Sequence, residues 1–313
     1  MSIAFVFPGQ GSQSVGMGRA LYDAYPAARD VFDTVDDALG EKLSSVIFEG
    51  PDETLRLTAN AQPALMAVSL AAMSAAAAEG LPVSDAAMVA GHSLGEYSAL
   101  AAAGAMSVAD AARLLRLRGN AMQASVPPGE GAMAALLGLT LDDVEAVAAE
   151  AAEDGVCDVA NDNAPGQVVV SGGREAVERA ITIAKEKGAK RAMLLPVSAP
   201  FHCALMAPAA VAMRTALEEA HIKPPTVPLV ANVSTRQLTQ PDDIRNSLVA
   251  QVMGRVRWRE SIATMASLGV TTVCEIGAGK VLTGLAKRID KTLNAVTVNG
   301  PEGVAELLAM RAA

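Results

Sequence analysis

A serine flanked by glycines is the sharpest chemical signal in this sequence. Residues 91–95 read GHSLG, between a short apolar run and a helical pattern. This pattern is typical of a nucleophile elbow, in which a tight strand-to-helix turn projects the serine hydroxyl beside the free N–H groups of the first helical turn. Such N–H groups can stabilise an oxyanion, so Ser93 is a candidate nucleophile. The alternative is an ordinary turn in which Ser93 caps the helix.

A serine nucleophile needs a base, and the chain contains three histidines. His92 adjoins Ser93 on the turn and is expected to be structural, whereas His221 is expected at a helix end. His202 lies where a loop can overhang the sheet, so it is the best candidate for the base. The alternative for His202 is a hydrogen-bonded, buried histidine. Cys203 is interpreted as a bystander because a reactive thiolate needs an electropositive environment.

Arg118 shares one face of a predicted helix with Leu114 and Leu115. An arginine on the apolar side of a helix requires an anionic partner, because burying it unpaired is costly. The partner could be the carboxylate or phosphate of a ligand. It could equally be an internal acidic residue, and a snorkelling cation near the helix end is a third interpretation.

Neither glycine-rich segment fits a nucleotide-binding loop. Residues 9–14 begin like G-x-G-x-x-G but lack the third glycine. Residues 277–280 end like a Walker A motif, but Cys274 occupies the position of the first glycine and Val281 follows the lysine. The three cysteines and three histidines show no metal-ligand spacing, so no metal site is expected.

The overall composition excludes several classes of protein. Hydrophobic residues make up 51% of the 313 residues, which rules out a disordered chain. A net charge of −9 and an aromatic content of 3% argue against nucleic-acid binding. The N-terminus has no basic segment of a signal peptide, and Ala64–Ala78 is interpreted as a buried helix and not a membrane span. We therefore expect a cytoplasmic protein.

Short apolar runs alternate with helical patterns, which predicts an α/β fold with a mostly parallel sheet covered on both faces. The predicted strands of this larger unit are 3–7, 86–90, 227–232 and 273–276. Its predicted helices are 17–40, 60–79, 94–103, 107–122 and one that follows Gly279.

Residues 128–198 have a different pattern, in the order β-α-β-β-α-β. The predicted strands are 132–139, 157–161, 167–171 and 191–197, and the predicted helices are 141–152 and 174–187. This order and length are typical of a ferredoxin-like unit. We therefore expect a ferredoxin-like subdomain at 128–198, inserted between residues 1–127 and 199–313 of a larger catalytic core.

Taken together, these segments resemble the acyltransferase family of fatty acid and polyketide synthesis, which includes the malonyl-CoA:acyl carrier protein transacylases. The matching segments run nearly end to end and in the family's order: 7–13, 91–96, the helix ending at Arg118, 161–172, 199–202 and 251–258. The resemblance implies an α/β-hydrolase-like core with an inserted ferredoxin-like subdomain, which agrees with the pattern of the chain.

The resemblance also implies a role for each matching residue. Ser93 would be the nucleophile and His202 its base, with the backbone N–H groups of Gln10 and Leu94 forming the oxyanion hole.

Three further residues complete the implied site. Arg118 would hold the free carboxylate of a malonyl group. Gln251 would orient His202, where hydrolases of related fold use an acidic residue. Phe201 matches the members that select malonyl groups, since a bulky side chain leaves little room for a branch at the α-carbon of the substrate.

The implied substrate is malonyl-CoA and the implied partner is an acyl carrier protein, with no metal or redox cofactor. Both are anionic, and two basic clusters could attract them despite the acidic total. These clusters contain Lys185, Lys187, Lys190 and Arg191 in the small unit, and Arg255, Arg257 and Arg259 near the C-terminal third. Solvated surface charges are an equally good interpretation of any one of these residues.

Three other functions remain open at this point. A serine hydrolase or thioesterase would share Ser93 and His202, but it would normally supply an acidic third member. A catalytically idle scaffold could bind CoA or a carrier protein. A discrete acyltransferase of a polyketide pathway would keep the mechanism and change the acyl group.

Overall fold

The computed structural model describes residues 2–312, which form ten strands and fourteen α-helices. The strands are β1 (Ile3–Phe7), β2 (Met88–Gly91), β3 (Gly131–Leu137), β4 (Cys157–Ala164), β5 (Gln167–Gly173), β6 (Arg191–Leu194), β7 (Leu229–Val230), β8 (Gln237–Leu238), β9 (Thr272–Ile276) and β10 (Asn294–Val298). The helices are α1 (Arg19–Ala24), α2 (Pro26–Leu39), α3 (Leu43–Glu49), α4 (Asp52–Arg56), α5 (Thr58–Ala78), α6 (Gly95–Ala102), α7 (Val108–Ala124), α8 (Leu141–Ala152), α9 (Arg174–Glu186), α10 (Ala207–Glu219), α11 (Pro241–Met253), α12 (Trp258–Ser267), α13 (Val281–Ile289) and α14 (Pro301–Ala312).

The larger sheet has six strands in the order β10-β9-β1-β2-β7-β8. All its pairings are parallel except the last, between β7 and β8. Alternate residues of β1 point to opposite faces: Phe5 and Phe7 pack into the main core, and Ala4 and Val6 into a second core behind the sheet. The sheet is therefore covered on both faces, which confirms the predicted mixed α/β fold.

The smaller sheet is antiparallel, with the strand order β4-β5-β3-β6. Helices α8 and α9 cover one of its faces through a separate core that includes Val144 and Val177. Helix α8 has the predicted bounds. It begins at a capping box in which Thr140 and Asp143 each satisfy the backbone N–H of the other.

The boundaries differ from the sequence prediction where prolines or side chains compete for the backbone. The predicted helix 17–40 is two helices, because α2 starts afresh with Pro26 at its first position. The predicted strand 191–197 ends at Leu194, shortly before Pro196, which cannot donate to a sheet. The predicted strand 227–232 pairs only over β7, because the N–H of Asn232 donates to the carboxylate of Glu96 instead.

Helix α5 runs through the middle of the molecule. Among residues 2–312 it is the one helix long and apolar enough to cross a membrane, and 83% of that apolar window is buried inside the protein. It packs against α2 and α7. The predicted buried helix over Ala64–Ala78 is therefore confirmed.

A short backbone connection joins the smaller sheet to the segment between α11 and α12. Asn161 in β4 forms a parallel bridge with Val256, supported by hydrogen bonds from Val256 N to Ala160 O at 2.8 Å and from Asp162 N to Val256 O at 3.0 Å. An ion pair between Asp162 and Arg259, at 2.7 Å, reinforces this connection. The smaller sheet is thus attached close to the segment that follows α11.

Candidate active site

Ser93 lies at the turn between β2 and α6, in the left-handed backbone region with φ of 54°. This conformation is uncommon for a residue other than glycine and indicates a constrained turn. A Cβ atom at position 91 would lie 1.9 Å from the carbonyl of Gly95, and one at position 95 would lie 2.3 Å from the carbonyl oxygen of Phe7. Glycine is therefore required at both positions, and the sequence pattern is a genuine strand-turn-helix elbow.

The hydroxyl of Ser93 faces the imidazole of His202, although 109 positions separate them in the chain. Ser93 Oγ and His202 Nε2 are 2.7 Å apart. On the other side of the ring, Nδ1 lies 2.9 Å from the carbonyl oxygen of Gln251 and 3.1 Å from that of Gly254. Because carbonyl oxygens only accept hydrogen bonds, Nδ1 carries the proton and Nε2 presents its lone pair to the serine. This is the tautomer that a base requires.

The environment keeps this imidazole neutral. Burial lowers the pKa of His202 to about 3, and the positive charge of Arg118 acts in the same direction. A neutral ring at physiological pH is ready to accept the proton of Ser93.

Gln251 contacts the site differently from the sequence expectation. Its backbone carbonyl, and not its side chain, holds His202. Its side-chain oxygen accepts from Arg118 Nη2 at 2.9 Å, and its side-chain nitrogen donates to the carbonyl oxygen of Ser93 at 2.8 Å and to Glu96. The backbone carbonyl of Gln251, at the C-terminal end of α11, accepts from the imidazole of His202. The side-chain amide of Gln251 is therefore free to accept from Arg118.

Arg118 is 1% exposed and lies within α7, so the snorkelling interpretation is wrong. Its three hydrogen-bond acceptors are all neutral: Gln62 Oε1 at 2.8 Å, Gln251 Oε1 at 2.9 Å and Ser93 Oγ at 3.1 Å. Its Nε has no partner among residues 2–312. A buried guanidinium that is held only by neutral groups retains its positive field, so it can receive an anionic ligand group beside the serine.

A cavity of about 500 Å³ opens onto this cluster. Ser93, His202, Arg118 and Phe201 line it, and Phe201 is only 8% exposed. Gln10 follows β1 and Leu94 precedes α6, and both also line the cavity. Within residues 2–312 the backbone N–H groups of these two residues donate to no protein acceptor. The structure therefore brings all seven expected site residues to one place.

His92, His221 and Cys203 make no hydrogen bond to Ser93 or His202 among residues 2–312. Nε2 of His92 lies 2.8 Å from Asn163 Oδ1, and its ring packs on Trp258 with 5.6 Å between centroids. His221 is exposed just after α10. Cys203 donates to a carbonyl oxygen, and burial raises the pKa of its thiol to about 11, which keeps it protonated.

Two polar residues of the site were missed by sequence reasoning. Asn232 accepts from the N–H of Ser93 at 2.8 Å and donates to the carbonyl oxygen of Gly91 at 2.7 Å, so it holds both ends of the elbow. Glu96 is fully buried and accepts from the N–H of Asn232 at 2.6 Å. Burial raises the pKa of Glu96 above its ordinary value, whereas the hydrogen bonds from Asn232 and Gln251 and the positive charge of Arg118 oppose this rise. The available signal was an acidic residue in an otherwise apolar helix, directly after the GHSLG motif.

Most of the candidate basic clusters is neutralised. Arg255 pairs with Glu145, Arg257 with Glu260 and Arg259 with Asp162, and Lys187 pairs with Glu150. Lys190 and Arg191 are exposed at the start of β6.

A serine on an elbow, a neutral imidazole and a buried cation together form a site for nucleophilic acyl transfer to and from an anionic acyl group. Comparison with known proteins agrees. The family model described as "acyl transferase domain" matches residues 4–300, and the chain belongs to this acyl transferase family.

Similarity to the relatives extends along nearly the whole chain. A malonyl CoA-acyl carrier protein transacylase of Bacillus subtilis is 48% identical, with 96% of this chain and 95% of that protein covered. The crystal structure of an acyl-carrier-protein S-malonyltransferase from Bartonella henselae is 57% identical over 100% of both chains, with a TM-score of 0.98. A malonyl-transacylase in complex with a type II polyketide synthase acyl-carrier protein is 42% identical, covers 99% of this chain and 100% of that one, and has a TM-score of 0.96.

Proposed function

We propose that this enzyme transfers the malonyl group of malonyl-CoA to the phosphopantetheine thiol of an acyl carrier protein, through a malonyl ester on Ser93. One observation carries the proposal: Ser93 Oγ lies 2.7 Å from the base His202 and 3.1 Å from the buried cation Arg118. The names of the relatives support the substrate, and the complex of one relative with an acyl-carrier protein supports the partner.

Acylation begins when the malonyl thioester enters the cavity. Ser93 Oγ attacks the thioester carbonyl while His202 Nε2 takes the hydroxyl proton. The resulting oxyanion accepts hydrogen bonds from the N–H groups of Gln10 and Leu94. General base assistance contributes about 10²–10⁴ in rate, and one oxyanion donor about 10²–10³. The C–S bond then breaks, His202 returns the proton to the CoA thiolate, and malonyl-Ser93 remains.

The second half-reaction repeats these steps with a different thiol. His202 takes the proton of the phosphopantetheine thiol, whose sulfur attacks the ester carbonyl. The oxyanion rests on the same two N–H groups, and Ser93 leaves with the proton from His202. Because one thiol leaves before the other binds, the kinetics are ping-pong. No proposed step uses a metal or a redox cofactor.

Selectivity in this scheme comes from two residues. The free carboxylate of the malonyl group lies against the guanidinium of Arg118, where charge-assisted hydrogen bonds form away from bulk water. Phe201 narrows the cavity and disfavours a branch at the α-carbon. An acetyl group has no carboxylate to offer Arg118, so it is the discriminating alternative substrate.

The same proposal covers the domain organisation. Residues 1–127 and 199–313 form an α/β-hydrolase-like catalytic core, and residues 128–198 form a ferredoxin-like subdomain. The order β3-α8-β4-β5-α9-β6 and the antiparallel strand order β4-β5-β3-β6 support this assignment.

Intact mass spectrometry tests the proposed function. Exposure of the purified enzyme to malonyl-CoA should add one malonyl group, mapped by peptide to Ser93, and holo acyl carrier protein should then remove it. Ser93→Ala should abolish the adduct, whereas Ser98→Ala, on the adjoining helix α6, should retain it.

The same experiment separates the alternatives. Rapid loss of the adduct to water without carrier protein would identify a hydrolase, and an enzyme that never acquires the adduct would be a scaffold.

A further inference from the structure

Glu96 is a buried carboxylate that the proposed mechanism does not use. It is 0% exposed and lies in the first turn of α6, three residues after the nucleophile. Both of its oxygens receive N–H donors: Oε1 from the backbone of Asn232 and Oε2 from the side chain of Gln251. Both oxygens therefore act as hydrogen-bond acceptors, and the ionised form provides both acceptors without a competing O–H.

The amide of Gln251 fits its surroundings in a single orientation. Its Nε2 donates to Glu96 and to the carbonyl oxygen of Ser93, and its Oε1 accepts from Arg118. If the amide were reversed, its NH₂ group would face the guanidinium and its oxygen would face two acceptors. The carboxylate of Glu96 therefore helps to hold the Gln251 oxygen toward Arg118.

This arrangement supplies a counter-charge to Arg118 without blocking it. The negative charge of Glu96 lies one amide away from the guanidinium, because Gln251 Nε2 donates to Glu96 while Gln251 Oε1 accepts from Arg118 Nη2. A direct ion pair would occupy the N–H groups that a substrate carboxylate needs. A fixed amide between the two charges positions Nη2 and leaves it hydrogen-bonded only to neutral acceptors.

We propose that Glu96 is a positioning residue that acts on Arg118 through the side-chain amide of Gln251 and thereby sets the preference of the site for acyl groups bearing a carboxylate. This inference rests on the proposed malonyl transfer and extends it to a residue outside the cavity lining.

Glu96→Gln tests the relay with little change in shape. The new NH₂ group must face either the N–H of Asn232 or the NH₂ of Gln251. The backbone N–H is fixed, so the Gln251 amide is displaced and Arg118 loses its oriented acceptor. We expect acylation by malonyl-CoA to fall about 10- to 100-fold more than acylation by acetyl-CoA. Single-turnover rates with both thioesters on one enzyme preparation give this ratio independently of the folded fraction.

A double-mutant cycle distinguishes this role from a general structural one. In the Arg118→Ala background, Glu96→Gln should leave the malonyl-to-acetyl ratio unchanged, because the residue on which it acts is absent. Glu275→Gln is the matched control: Glu275 is also 0% exposed, and it accepts from the N–H groups of Leu282 and Thr283. Its neutralisation should change both rates by the same factor.

Two outcomes with the Glu96→Gln variant would overturn the inference. These are an unchanged ratio in Glu96→Gln, or an equal fall of the ratio with and without Arg118. If Glu96→Gln does not fold, Gln251→Met removes the same relay from the amide side, and an unchanged ratio in that variant is equally decisive. A wild-type enzyme that acquires no malonyl group would instead refute the proposed function itself.

Discussion

Arg118 and Ser93 are hydrogen-bonded to each other, with 3.1 Å between the guanidinium Nη2 and the hydroxyl oxygen. The cation that the proposal assigns to the substrate carboxylate is therefore already in contact with the nucleophile. A malonyl group whose carboxylate meets Arg118 has its thioester carbonyl only two bonds further along, which brings that carbonyl to the serine. Recognition and attack thus occur within one short span of the substrate.

Arg118→Ala should impair transfer of malonyl groups selectively. Loss of a buried, charge-assisted contact corresponds to about 3 kcal/mol, so we expect malonyl acylation to fall on the order of 10²-fold more than acetyl acylation. Arg116→Ala is the control, because Arg116 lies on the same helix but donates to Glu41 and Asn60. Steady-state and single-turnover rates with both thioesters provide the measurement, and equal losses for both would remove the carboxylate-binding role.

The pH dependence of acylation should reflect the neutral imidazole. Burial, aided by the charge of Arg118, lowers the pKa of His202 from the ordinary 6.5 to about 3. The imidazole of the free enzyme therefore stays neutral, and able to act as a base, at pH values well below 6.5. We expect the rate constant for acylation by acetyl-CoA, which does not use the contact between Glu96, Gln251 and Arg118, to be flat between about pH 5 and pH 8. An acid limb centred near 6.5 in the wild-type profile would contradict this explanation.

The same lowered pKa predicts an effect on stability. As pH falls below about 6.5, the unfolded chain takes up a proton at His202 that the folded protein does not, so the fold loses stability progressively until about pH 3. This loss is on the order of 2 kcal/mol at pH 5. In the His202→Ala variant the free energy of unfolding should fall less between pH 7 and pH 5 than it does in the wild type. Urea denaturation at the two pH values measures this difference. An identical difference in both proteins would count against the lowered pKa.

Gly91→Ala should disrupt the elbow. The added Cβ would lie 1.9 Å from the Gly95 carbonyl, and the surrounding backbone cannot yield without moving Ser93. We expect a stability loss on the order of 3 kcal/mol together with loss of the acyl adduct. Gly284→Ala is the contrasting control. Gly284 lies within α13, and apart from its chain neighbours and its own helix backbone no atom lies within 4 Å of the new Cβ, so the change should stabilise the protein by about 0.5–1 kcal/mol. Thermal melts of both variants test this, and a Gly91→Ala variant with wild-type melting and labelling would refute the steric requirement.

Charge reversal at Lys190 and Arg191 should weaken the productive encounter with carrier protein. Both residues are exposed: Arg191 begins the edge strand β6 of the smaller sheet, and Lys190 directly precedes it. The double variant Lys190→Glu, Arg191→Glu should raise the KM for carrier protein several-fold at low salt and leave acylation by malonyl-CoA unchanged. Arg214→Glu, exposed on α10, serves as the control. If the KM stays the same in the double variant, docking does not use this edge.

The sequence was most informative where local rules dominate. The GHSLG motif, strand β1 and helix α8 follow from glycine spacing, apolar runs and capping, all of which act over a few residues. Local patterns predicted the alternation of strands and helices in the smaller unit, but they did not predict the order of the strands within its sheet. Boundaries were less certain where a proline or a competing side chain acts, as at Pro26 and Asn232.

The geometry of the site depends on contacts that no local pattern encodes. Ser93 and His202 meet across 109 positions, and only the fold brings them together. The resemblance placed Gln251 beside His202, but which of the two carbonyl groups of Gln251 contacts the imidazole depends on where α11 ends. Glu96 was visible beside the motif, yet its partners Asn232 and Gln251 lie more than 130 positions away.

Both reacting residues have backbone angles that favour glycine, with φ of 54° at Ser93 and 59° at His202. Replacing either by glycine would relax the chain but remove the group that performs the chemistry. Stabilising substitutions to glycine are therefore incompatible with activity at these two positions, and greater heat resistance must come from substitutions elsewhere in the chain. Thermophilic descendants of this chain should retain the same two torsions unchanged while their surfaces and loops diverge.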